Sequence, residues 1–297
     1  MMRPDCIEPQ VSLSSLTSWL VGGAADFLAL PRTFEEARDS VLWAKAQGLP
    51  IAVFGGGTNV LVSDRGVEGL TLCLRRLSGA TVSGEGRIHV ACLAGTSKAE
   101  LLKIFLKARL APALFLAGLP GDVGGGVAMN AGVGEMIRPR EFVEIVDWID
   151  VLRFDTGAVD RLPARSLEWS YRHCRGWGRG AIVRVGLSWP NEPQADILMR
   201  VRAANLVRLS KQPLDQPSCG SVFANPIGGK AGQLIESCGL KGYSVGGAQV
   251  SGKHANFIVN AGGATASDID LVIRHVQAVV RSERGVELQT EVVRLGR

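Results

Sequence analysis

Glycine is concentrated in two short segments, and this concentration constrains the fold more than any other feature of the sequence. The chain has 37 glycines in 297 residues. The run Gly-Gly-Gly-Thr-Asn occupies residues 55–59, directly after the apolar residues 51–54, and seven glycines lie within residues 118–134. Clustered glycines let backbone amides approach a ligand closely, so both segments are candidate binding sites for an anion.

Neither segment matches a standard phosphate-binding motif. Residues 55–59 lack the Gly-Lys-Ser/Thr ending of a P-loop, and Asn59 and Val60 stand near the place of the last glycine in the dinucleotide fingerprint. A tight structural turn is therefore an alternative for the first segment. A flexible linker is the alternative for the second, although its interspersed apolar side chains disfavour it. Because residues 118–132 have little to bury, we expect an ordered loop that wraps a ligand. Two such loops are suited to the two phosphates of one dinucleotide.

Strand-like and helix-like patterns alternate along the chain. Capping boxes at Thr33 and Ser97 predict helices that begin there, the first running to Gly48. Residues 51–54 are expected to be a short strand, residues 60–62 are a second apolar run, and residues 143–189 are expected to form strands and turns. Beyond the prolines at 190 and 193 we expect a compact α+β unit. Its predicted elements are helices at 229–238 and 267–283 and a closing strand at 286–295.

Composition and charge exclude several classes of protein. The net charge of +5 suits an anionic small-molecule substrate, and no block of basic residues indicates a nucleic-acid surface. Residues 9–25 are uncharged but follow Asp5 and Glu8 and contain many polar side chains, unlike a signal peptide. Residues 110–134 are interrupted by prolines and glycines, so no membrane span is expected. The sequence specifies no oligomeric state.

The six cysteines are widely spaced and form no C-x-x-C pair. Neither a disulfide framework nor a metal site is expected from this spacing. Buried thiols in a reducing compartment are the simpler interpretation, and we therefore expect a cytoplasmic protein.

A series of short motifs, taken in order, resembles one enzyme family. The motifs are residues 55–62 (Gly-Gly-Gly-Thr-Asn-Val-Leu-Val), 118–125 (Gly-Leu-Pro-Gly-x-x-Gly-Gly), 130–132 (Asn-Ala-Gly), 171–172 (Tyr-Arg), 211–213 (Lys-Gln-Pro), 220–226 (Gly-Ser-Val-Phe-x-Asn-Pro), 239–242 (Gly-Leu-Lys-Gly), 251–257 (Ser-x-Lys-His-Ala-Asn-Phe) and 291–292 (Glu-Val). Together they resemble the UDP-N-acetylenolpyruvoylglucosamine reductases, also called UDP-N-acetylmuramate dehydrogenases. The chain is similar to the shorter branch of that family, which lacks an extra tyrosine-bearing substrate loop.

The resemblance implies a fold and a reaction. The implied fold is α+β, with an FAD-binding module of the vanillyl-alcohol-oxidase type in two subdomains (residues 1–75 and 76–190) and a C-terminal substrate domain (residues 191–297). The implied reaction is the NADPH-dependent, FAD-mediated reduction of UDP-N-acetylglucosamine enolpyruvate to UDP-N-acetylmuramate, a step of peptidoglycan precursor synthesis. We expect FAD to be held without a covalent bond, because residues 55–59 contain no His or Cys to attach it.

The resemblance also assigns residues to roles. It implies that Arg172, Ser221 and Glu291 are catalytic. The implied cofactor-binding residues are Gly55, Gly56, Gly57, Thr58, Asn59, Gly118, Gly121, Gly125, Asn130, Ala131 and Gly132. The implied substrate-binding residues are Tyr171, Lys211, Asn225 and His254.

The chemistry of the catalytic set can be argued independently. A substrate carboxylate must absorb charge while an enolate-like intermediate forms, and a bidentate, permanently charged arginine such as Arg172 suits that task. Ser221 can donate the proton that the neighbouring carbon needs, and a protonated Glu291 can be a second donor to the carboxylate. Taken singly, a surface arginine, a turn-stabilising serine, a solvent-facing glutamate and, for His254, a structural histidine are the alternatives.

The sequence departs from the family pattern in three places. Ala224 stands where a lysine is usual, residues 133–135 (Val-Gly-Glu) replace a tyrosine, and residues 17–20 lack a basic residue. None of these touches the catalytic set. Two other functions stay open: another FAD-dependent oxidoreductase of the same fold, such as an alcohol oxidase with covalent FAD, and a non-catalytic nucleotide-sugar binding protein.

Overall fold

The computed structural model of the protein describes residues 2–133 and 137–297. Its strands are β1 (Ile7–Ser12), β2 (Ala24–Ala29), β3 (Ile51–Phe54), β4 (Val60–Val62), β5 (Val67–Cys73), β6 (Ala80–Ser83), β7 (Arg87–Leu93), β8 (Val146–Arg153), β9 (Val159–Pro163), β10 (Glu168–Ser170), β11 (His173–Arg175), β12 (Gly180–Pro190), β13 (Ser244–Val245), β14 (Ala248–Val250), β15 (Ile258–Asn260) and β16 (Val293–Leu295). Its helices are α1 (Phe34–Ala46), α2 (Lys98–Lys107), α3 (Pro112–Leu116), α4 (Val123–Ala128), α5 (Ile197–Lys211), α6 (Ala231–Ser237) and α7 (Ala266–Arg284). The predicted α+β class is confirmed.

The chain divides into two compact units. The first consists of Met1–Pro9, Phe27–Gly56 and Gly69–Leu206, and the second of Gln10–Asp26, Gly57–Glu68 and Val207–Arg297. The three domain ranges expected from the sequence stay a prediction.

The first unit is built around an antiparallel sheet of five strands in the order β6-β7-β12-β8-β9. The long strand β12 pairs with β7 on one side and with β8 on the other. Apolar side chains of the sheet and of α2, α3 and α4, including Phe105 and Phe115, form one buried cluster together with Phe142, which precedes β8. A second cluster forms where α1 contributes Val41 and Trp43 beside the apolar strand β5. β5 pairs in parallel with β3, in a sheet of order β1-β2-β5-β3.

The second unit contains a small antiparallel sheet, β13-β14-β15, and the parallel pair β4 and β16. The apolar stripe of α7 is buried here, including Ile269, Val272 and Val276. Trp19 is fully buried in the same cluster, and its indole Nε1 donates a hydrogen bond of 2.7 Å to the carbonyl oxygen of Ile258. Burial of such a ring requires this polar partner.

Helix starts follow the capping signals. The Thr33 and Ser97 hydroxyls accept hydrogen bonds from the backbone N–H groups of Glu36 and Glu100, which confirms both predicted starts. The reciprocal carboxylate bond of a full capping box forms at α7, between Thr265 and Asp268, but not at α1 or α2. Helix α7 begins at Ala266, one residue before the predicted start at residue 267.

Other predicted elements have mixed outcomes. The strand at 51–54, the strands and turns at 143–189 and the helix at 229–238 are confirmed, the last as α6, and the apolar run at 60–62 forms β4. The predicted strand at 286–295 is wrong over most of its length, since only Val293–Leu295 forms a strand. Its upstream part instead makes an isolated bridge between Thr290 and Phe223.

The expectation that residues 118–132 form a loop is also wrong in part, because α4 lies within them. A β-carbon on Gly124 would lie 2.8 Å from the Ala94 Cβ, and one on Gly126 would lie 2.6 Å from the Phe142 ring. These two glycines therefore serve close packing of a buried helix. Within the described residues, no helix is both long enough and apolar enough to cross a membrane.

Candidate functional site

The two glycine segments meet in the first unit. A β-carbon on Gly56 would lie 2.9 Å from the Gly121 Cα and 3.3 Å from the backbone nitrogen of Asp122. Gly118 and Gly121 have positive φ values of 72° and 83°, a conformation that glycine adopts without strain. The backbones of the two segments therefore lie in close contact, and their role in binding a ligand stays a prediction.

Gly125 differs from the other glycines of α4. A β-carbon there would meet nothing within 4 Å, and the residue is exposed. An open backbone of this kind, beside two apposed glycine loops, fits a flat or extended cofactor. Gly132, in contrast, would place a β-carbon 2.2 Å from the carbonyl oxygen of Arg140, so its small size serves packing within the protein. Ala131 is half-buried, with its carbonyl oxygen accepting from the Phe142 backbone nitrogen.

Asn130 organises the segment that follows. It is fully buried, with φ of 37°. Its side-chain amide donates to a Glu141 carboxylate oxygen at 3.0 Å and to the Ser170 carbonyl oxygen at 3.1 Å, and it accepts from the Val143 backbone nitrogen at 3.0 Å. All three hydrogen bonds of the Asn130 side chain are therefore made to other groups of the protein. The cofactor-binding role of Asn130 stays a prediction for its backbone.

Arg172 lies in the turn between β10 and β11. Its φ of 55° is unusual for a residue with a β-carbon. The guanidinium donates to the Gly132 carbonyl oxygen at 3.0 Å and lies 3.8 Å from a Glu141 carboxylate oxygen. It also lies 4.8 Å from the ring centre of the exposed Tyr171. Glu141 thus contacts both Asn130 and Arg172, and these contacts restrict the orientation of the guanidinium.

Two buried charged side chains lie close to these elements. Lys98 is 6% exposed and Asp122 is 8% exposed. Burial lowers the pKa of Lys98 to about 8, although Asp122 opposes the shift, and it raises the pKa of Asp122 to about 6 against the effects of Arg75 and Lys98. Arg75 also donates a hydrogen bond of 2.9 Å to the Gly56 carbonyl oxygen, which anchors the first glycine segment.

The second unit contains the rest of the first glycine segment. Gly57 has φ of 64°, and its carbonyl oxygen accepts from the Ser18 backbone nitrogen. Thr58 is half-buried. Asn59 donates a side-chain hydrogen bond of 2.8 Å to the Glu291 carbonyl oxygen, and its own carbonyl oxygen accepts from the Val293 nitrogen. Asn59 therefore fixes the backbone that carries a predicted catalytic residue.

Ser221 and Glu291 lie on adjacent segments of the second unit. The Glu291 backbone nitrogen donates to the carbonyl oxygen of Val222, the residue after Ser221, at 2.9 Å. Gly220 precedes Ser221 with φ of 84°, so only a residue without a β-carbon makes this turn easily. The Ser221 hydroxyl forms no hydrogen bond with any described residue, which disfavours a turn-stabilising role.

Asn256 holds the Ser221 segment in place. Its side-chain oxygen accepts from the Phe223 nitrogen at 2.9 Å, and its side-chain nitrogen donates to the Phe223 carbonyl oxygen at 2.8 Å. Its backbone oxygen accepts from Val222 at 2.8 Å, and its backbone nitrogen donates to Nδ1 of His254 at 3.2 Å. Because Asn256 is 4% exposed, these bonds form away from water.

The remaining predicted site residues of the second unit are less closely tied to Ser221. His254 accepts at Nδ1, so its proton is on Nε2, and burial lowers the pKa of the imidazole. Asn225 is exposed and accepts a hydrogen bond from the Ala231 nitrogen at the start of α6. Lys211 is the exposed last residue of α5. Ala224, the departure from the family's lysine, donates its N–H to the Gln289 carbonyl oxygen.

The structure therefore joins the predicted site residues within each unit. In the first unit it brings the glycine segments together and ties Arg172 to Gly132. In the second it brings Ser221, Glu291 and the backbone of Asn59 together. The sequence analysis assigned no role to Lys98, Asp122, Glu141 or Asn256. The predicted departure at residues 134 and 135 lies outside the described residues.

Two family models match the chain. One, described as the C-terminal domain of UDP-N-acetylenolpyruvoylglucosamine reductase, matches residues 212–295, and one described as an FAD binding domain matches residues 25–162. These matches agree with the positions of the Ser221 segment and of the apposed glycine loops.

Similar proteins carry the same name. The UDP-N-acetylenolpyruvoylglucosamine reductase of Synechococcus sp. (strain RCC307) is 40% identical over 293 residues, covering 98% of this chain and 94% of that protein. That of Pediococcus pentosaceus is 40% identical over 285 residues, covering 96% and 92%. The crystal structure of UDP-N-acetylenolpyruvylglucosamine reductase from Thermus caldophilus superposes with a TM-score of 0.81 at 32% identity, covering 97% of this chain and 98% of that one. The resemblance inferred from the motifs is confirmed: the chain belongs to the UDP-N-acetylenolpyruvoylglucosamine reductase family.

Proposed function

We propose that the protein reduces UDP-N-acetylglucosamine enolpyruvate to UDP-N-acetylmuramate with NADPH and FAD, in peptidoglycan precursor synthesis. The observation that carries the proposal is the near full-length similarity to reductases of that name in Synechococcus and Pediococcus. The geometry agrees, because the predicted proton donor Ser221 and Glu291 lie on hydrogen-bonded segments. The relatives favour this reaction over an alcohol oxidase or a non-catalytic nucleotide-sugar binding protein.

FAD is the cofactor of the reaction, and the apposed glycine segments are the proposed site for its diphosphate. Gly56 packs against Gly121 with no side chain between them, a β-carbon on Gly55 would have only the Asp122 carboxylate within 4 Å, and the open face of Gly125 lets a cofactor lie against α4. The chemistry that bound FAD supplies is hydride transfer from NADPH to the terminal methylene carbon of the substrate.

Arg172 is the proposed partner of the substrate carboxylate. Its guanidinium is always charged and donates two parallel hydrogen bonds to a carboxylate. Glu141 and the Gly132 carbonyl oxygen hold it by one edge, which reduces the reorganisation needed when negative charge develops on the substrate. Tyr171 and Lys211, both exposed, are proposed contacts for the nucleotide sugar, Lys211 for its diphosphate.

Ser221 is the proposed proton donor. Its hydroxyl follows a glycine turn, and its segment is fixed by Asn256 rather than by its own side chain. Glu291 is the proposed second donor to the substrate carboxylate. Proton donation by a positioned side chain typically contributes ~100- to 10,000-fold to a rate.

The test separates the two half-reactions. Ser221→Ala should bind FAD, and NADPH should reduce the bound flavin under anaerobic conditions (bleaching) at near wild-type rate. Reoxidation of the flavin by the enolpyruvyl substrate (recolouring) should slow by at least ~100-fold. Ser221→Cys should retain more activity than Ser221→Ala, because a thiol still donates a proton. Ser210→Ala, at an exposed serine of α5, is the matched control.

If the flavin of Ser221→Ala is reoxidised by the substrate at the wild-type rate, or if the variant loses only thermal stability, Ser221 is not the proton donor. The absorbance spectrum of the purified protein tests the alternatives, because a non-catalytic nucleotide-sugar binding protein lacks flavin bands. Rapid oxygen consumption with an alcohol would indicate the oxidase instead.

We also infer that the enzyme works in the cytoplasm. All six cysteines are free thiols, and four of them are buried. Free thiols persist in reducing compartments. The proposed partner is the nucleotide-sugar substrate. No nucleic-acid partner is proposed.

A further inference from the structure

Asp122 carries a buried carboxylate oxygen that has no partner. The side chain is 8% exposed, and Oδ2 forms no hydrogen bond with any described residue. Both carboxylate oxygens lie against the first glycine segment. Oδ1 is 3.2 Å from where a β-carbon of Gly56 would stand, and Oδ2 is 3.7 Å from that of Gly55. An unpaired buried carboxylate costs free energy unless a ligand or a proton satisfies it.

The charged and titratable side chains that act on Asp122 belong to β5, to the segment after it and to the start of α2. Arg75, which follows β5, and Lys98, the first residue of α2, are cations that favour its ionised form. Cys73, the last residue of β5, is a buried thiol whose pKa is raised. Arg172 lies near Lys98 and opposes the charge of that lysine. The cations that stabilise the negative charge of Asp122 are therefore themselves buried or hydrogen-bonded to other groups.

A carboxylate at this place conflicts with the proposed cofactor site. The same glycine backbone that contacts Asp122 is the proposed cradle of the FAD diphosphate, which carries negative charge and offers only hydrogen-bond acceptors. Two anions that share a dry site repel each other, and one of them normally takes up a proton. The diphosphate is the stronger acid, so the carboxyl group is the one that takes up the proton.

We propose that Asp122 takes up one proton from solvent when FAD binds and then, as a neutral carboxyl group, donates a hydrogen bond to the diphosphate. Asp122 is thus an FAD-binding residue that makes cofactor affinity depend on pH. The inference rests on the assignment of the glycine segments to the diphosphate.

The electrostatics of the protein without cofactor support the proposal. Burial already raises the pKa of Asp122 to about 6 before any second anion arrives. Bound diphosphate raises it further, so the complex binds more protons than the free protein above pH 6. By linkage, the affinity for FAD then falls as pH rises, approaching tenfold per pH unit. Between pH 5.5 and 7.5 the Kd should increase on the order of 20-fold.

The experiment measures FAD binding to the apoprotein by calorimetry. At pH 7.5, titrations in two buffers of different ionisation enthalpy should show uptake of nearly one proton by the wild type. Asp122→Asn imitates the neutral carboxyl group. It should bind FAD about as tightly as the wild type at pH 5.5 and more tightly at pH 7.5, with almost no proton uptake. Asp155→Asn, at an exposed carboxylate of the same unit, is the control and should behave like the wild type.

Three results would overturn the proposal. Wild-type binding without proton uptake would show that Asp122 does not titrate with the cofactor. A pH dependence that persists in Asp122→Asn would assign it to another group, such as Lys98, whose pKa burial lowers to about 8. Weaker binding by Asp122→Asn at both pH values would show that the carboxylate accepts a hydrogen bond from a cofactor hydroxyl.

A glycine variant tests the underlying assignment separately. Gly125→Ala adds a methyl group that meets no protein atom within 4 Å, so the apoprotein should remain as stable as the wild type. It should weaken FAD binding if the cofactor lies on this backbone, whereas Gly86→Ala, at another open glycine, should not. Unchanged affinity in Gly125→Ala would contradict the location of the cofactor, whatever the result for Asp122.

Discussion

Replacing Asn256 with alanine should destabilise the second unit and misplace Ser221. The asparagine side chain makes two hydrogen bonds, one to each backbone polar group of Phe223, which is itself 1% exposed. Alanine leaves both groups buried and unpaired, at roughly 1–3 kcal/mol each. The expected loss in the free energy of unfolding is therefore roughly 2–6 kcal/mol. The recolouring half-reaction should slow more than bleaching by NADPH, because Ser221 lies two residues from Phe223.

The assay combines urea unfolding with the two flavin half-reactions. Asn191→Ala is the matched control, since that exposed asparagine donates one side-chain hydrogen bond to the Glu85 carbonyl oxygen and has no proposed role in the reaction. It should cost only about 0.5–1.5 kcal/mol. Asn256→Asp gives a second readout. Its new oxygen would face the Phe223 carbonyl, so burial and repulsion should raise the pKa of the introduced carboxyl group.

The sign of that pH dependence follows from proton binding. With a raised pKa, the folded Asn256→Asp variant holds a proton that the unfolded chain has lost, so its stability relative to the wild type should fall as pH rises above about 4. An alanine variant within about 1 kcal/mol of the wild type, or an aspartate variant whose relative stability does not change with pH, would refute the reasoning.

Two further predictions concern the carboxylate partner and the cofactor. Arg172→Lys should slow reoxidation by the substrate far more than flavin reduction, because a point charge cannot form a bidentate contact with the carboxylate; stopped-flow traces that show equal slowing of both steps would place Arg172 elsewhere. FAD should be released by acid precipitation, because residues 55–59 offer no His or Cys for attachment; yellow colour retained in the pellet would contradict this.

Local sequence patterns were sufficient for much of the fold. The hydroxyl caps at Thr33 and Ser97 and the apolar stripe of α7 predicted helices that the structure contains. Such signals act within one or two helical turns, so no tertiary context is needed to interpret them. The ordered motifs were likewise sufficient to identify the family.

Patterns failed where a distant partner decides the conformation. Residues 286–292 alternate like a strand, but the backbone there pairs with the Phe223 segment through a single bridge, and an extended ladder does not form. Residues 118–132 were expected to form a loop because they have little to bury, and glycine also weakens a helix when nothing packs against it. Contacts with Ala94 and Phe142 overcome that preference, since they require residues without side chains.

The sequence by itself determined the family, the starts of α1 and α2 and the positions of the glycine segments, and it predicted roles for Arg172, Ser221 and Glu291. Only the tertiary structure decided which groups support them. The support of Arg172 by Glu141 and of the Ser221 segment by Asn256 could not be predicted from the sequence, although Asn256 lies within the motif at 251–257, because both depend on contacts with residues far away in sequence. The perturbed pKa of Asp122 depends likewise on burial and on neighbouring cations, and burial of a charge is a property of the packed chain.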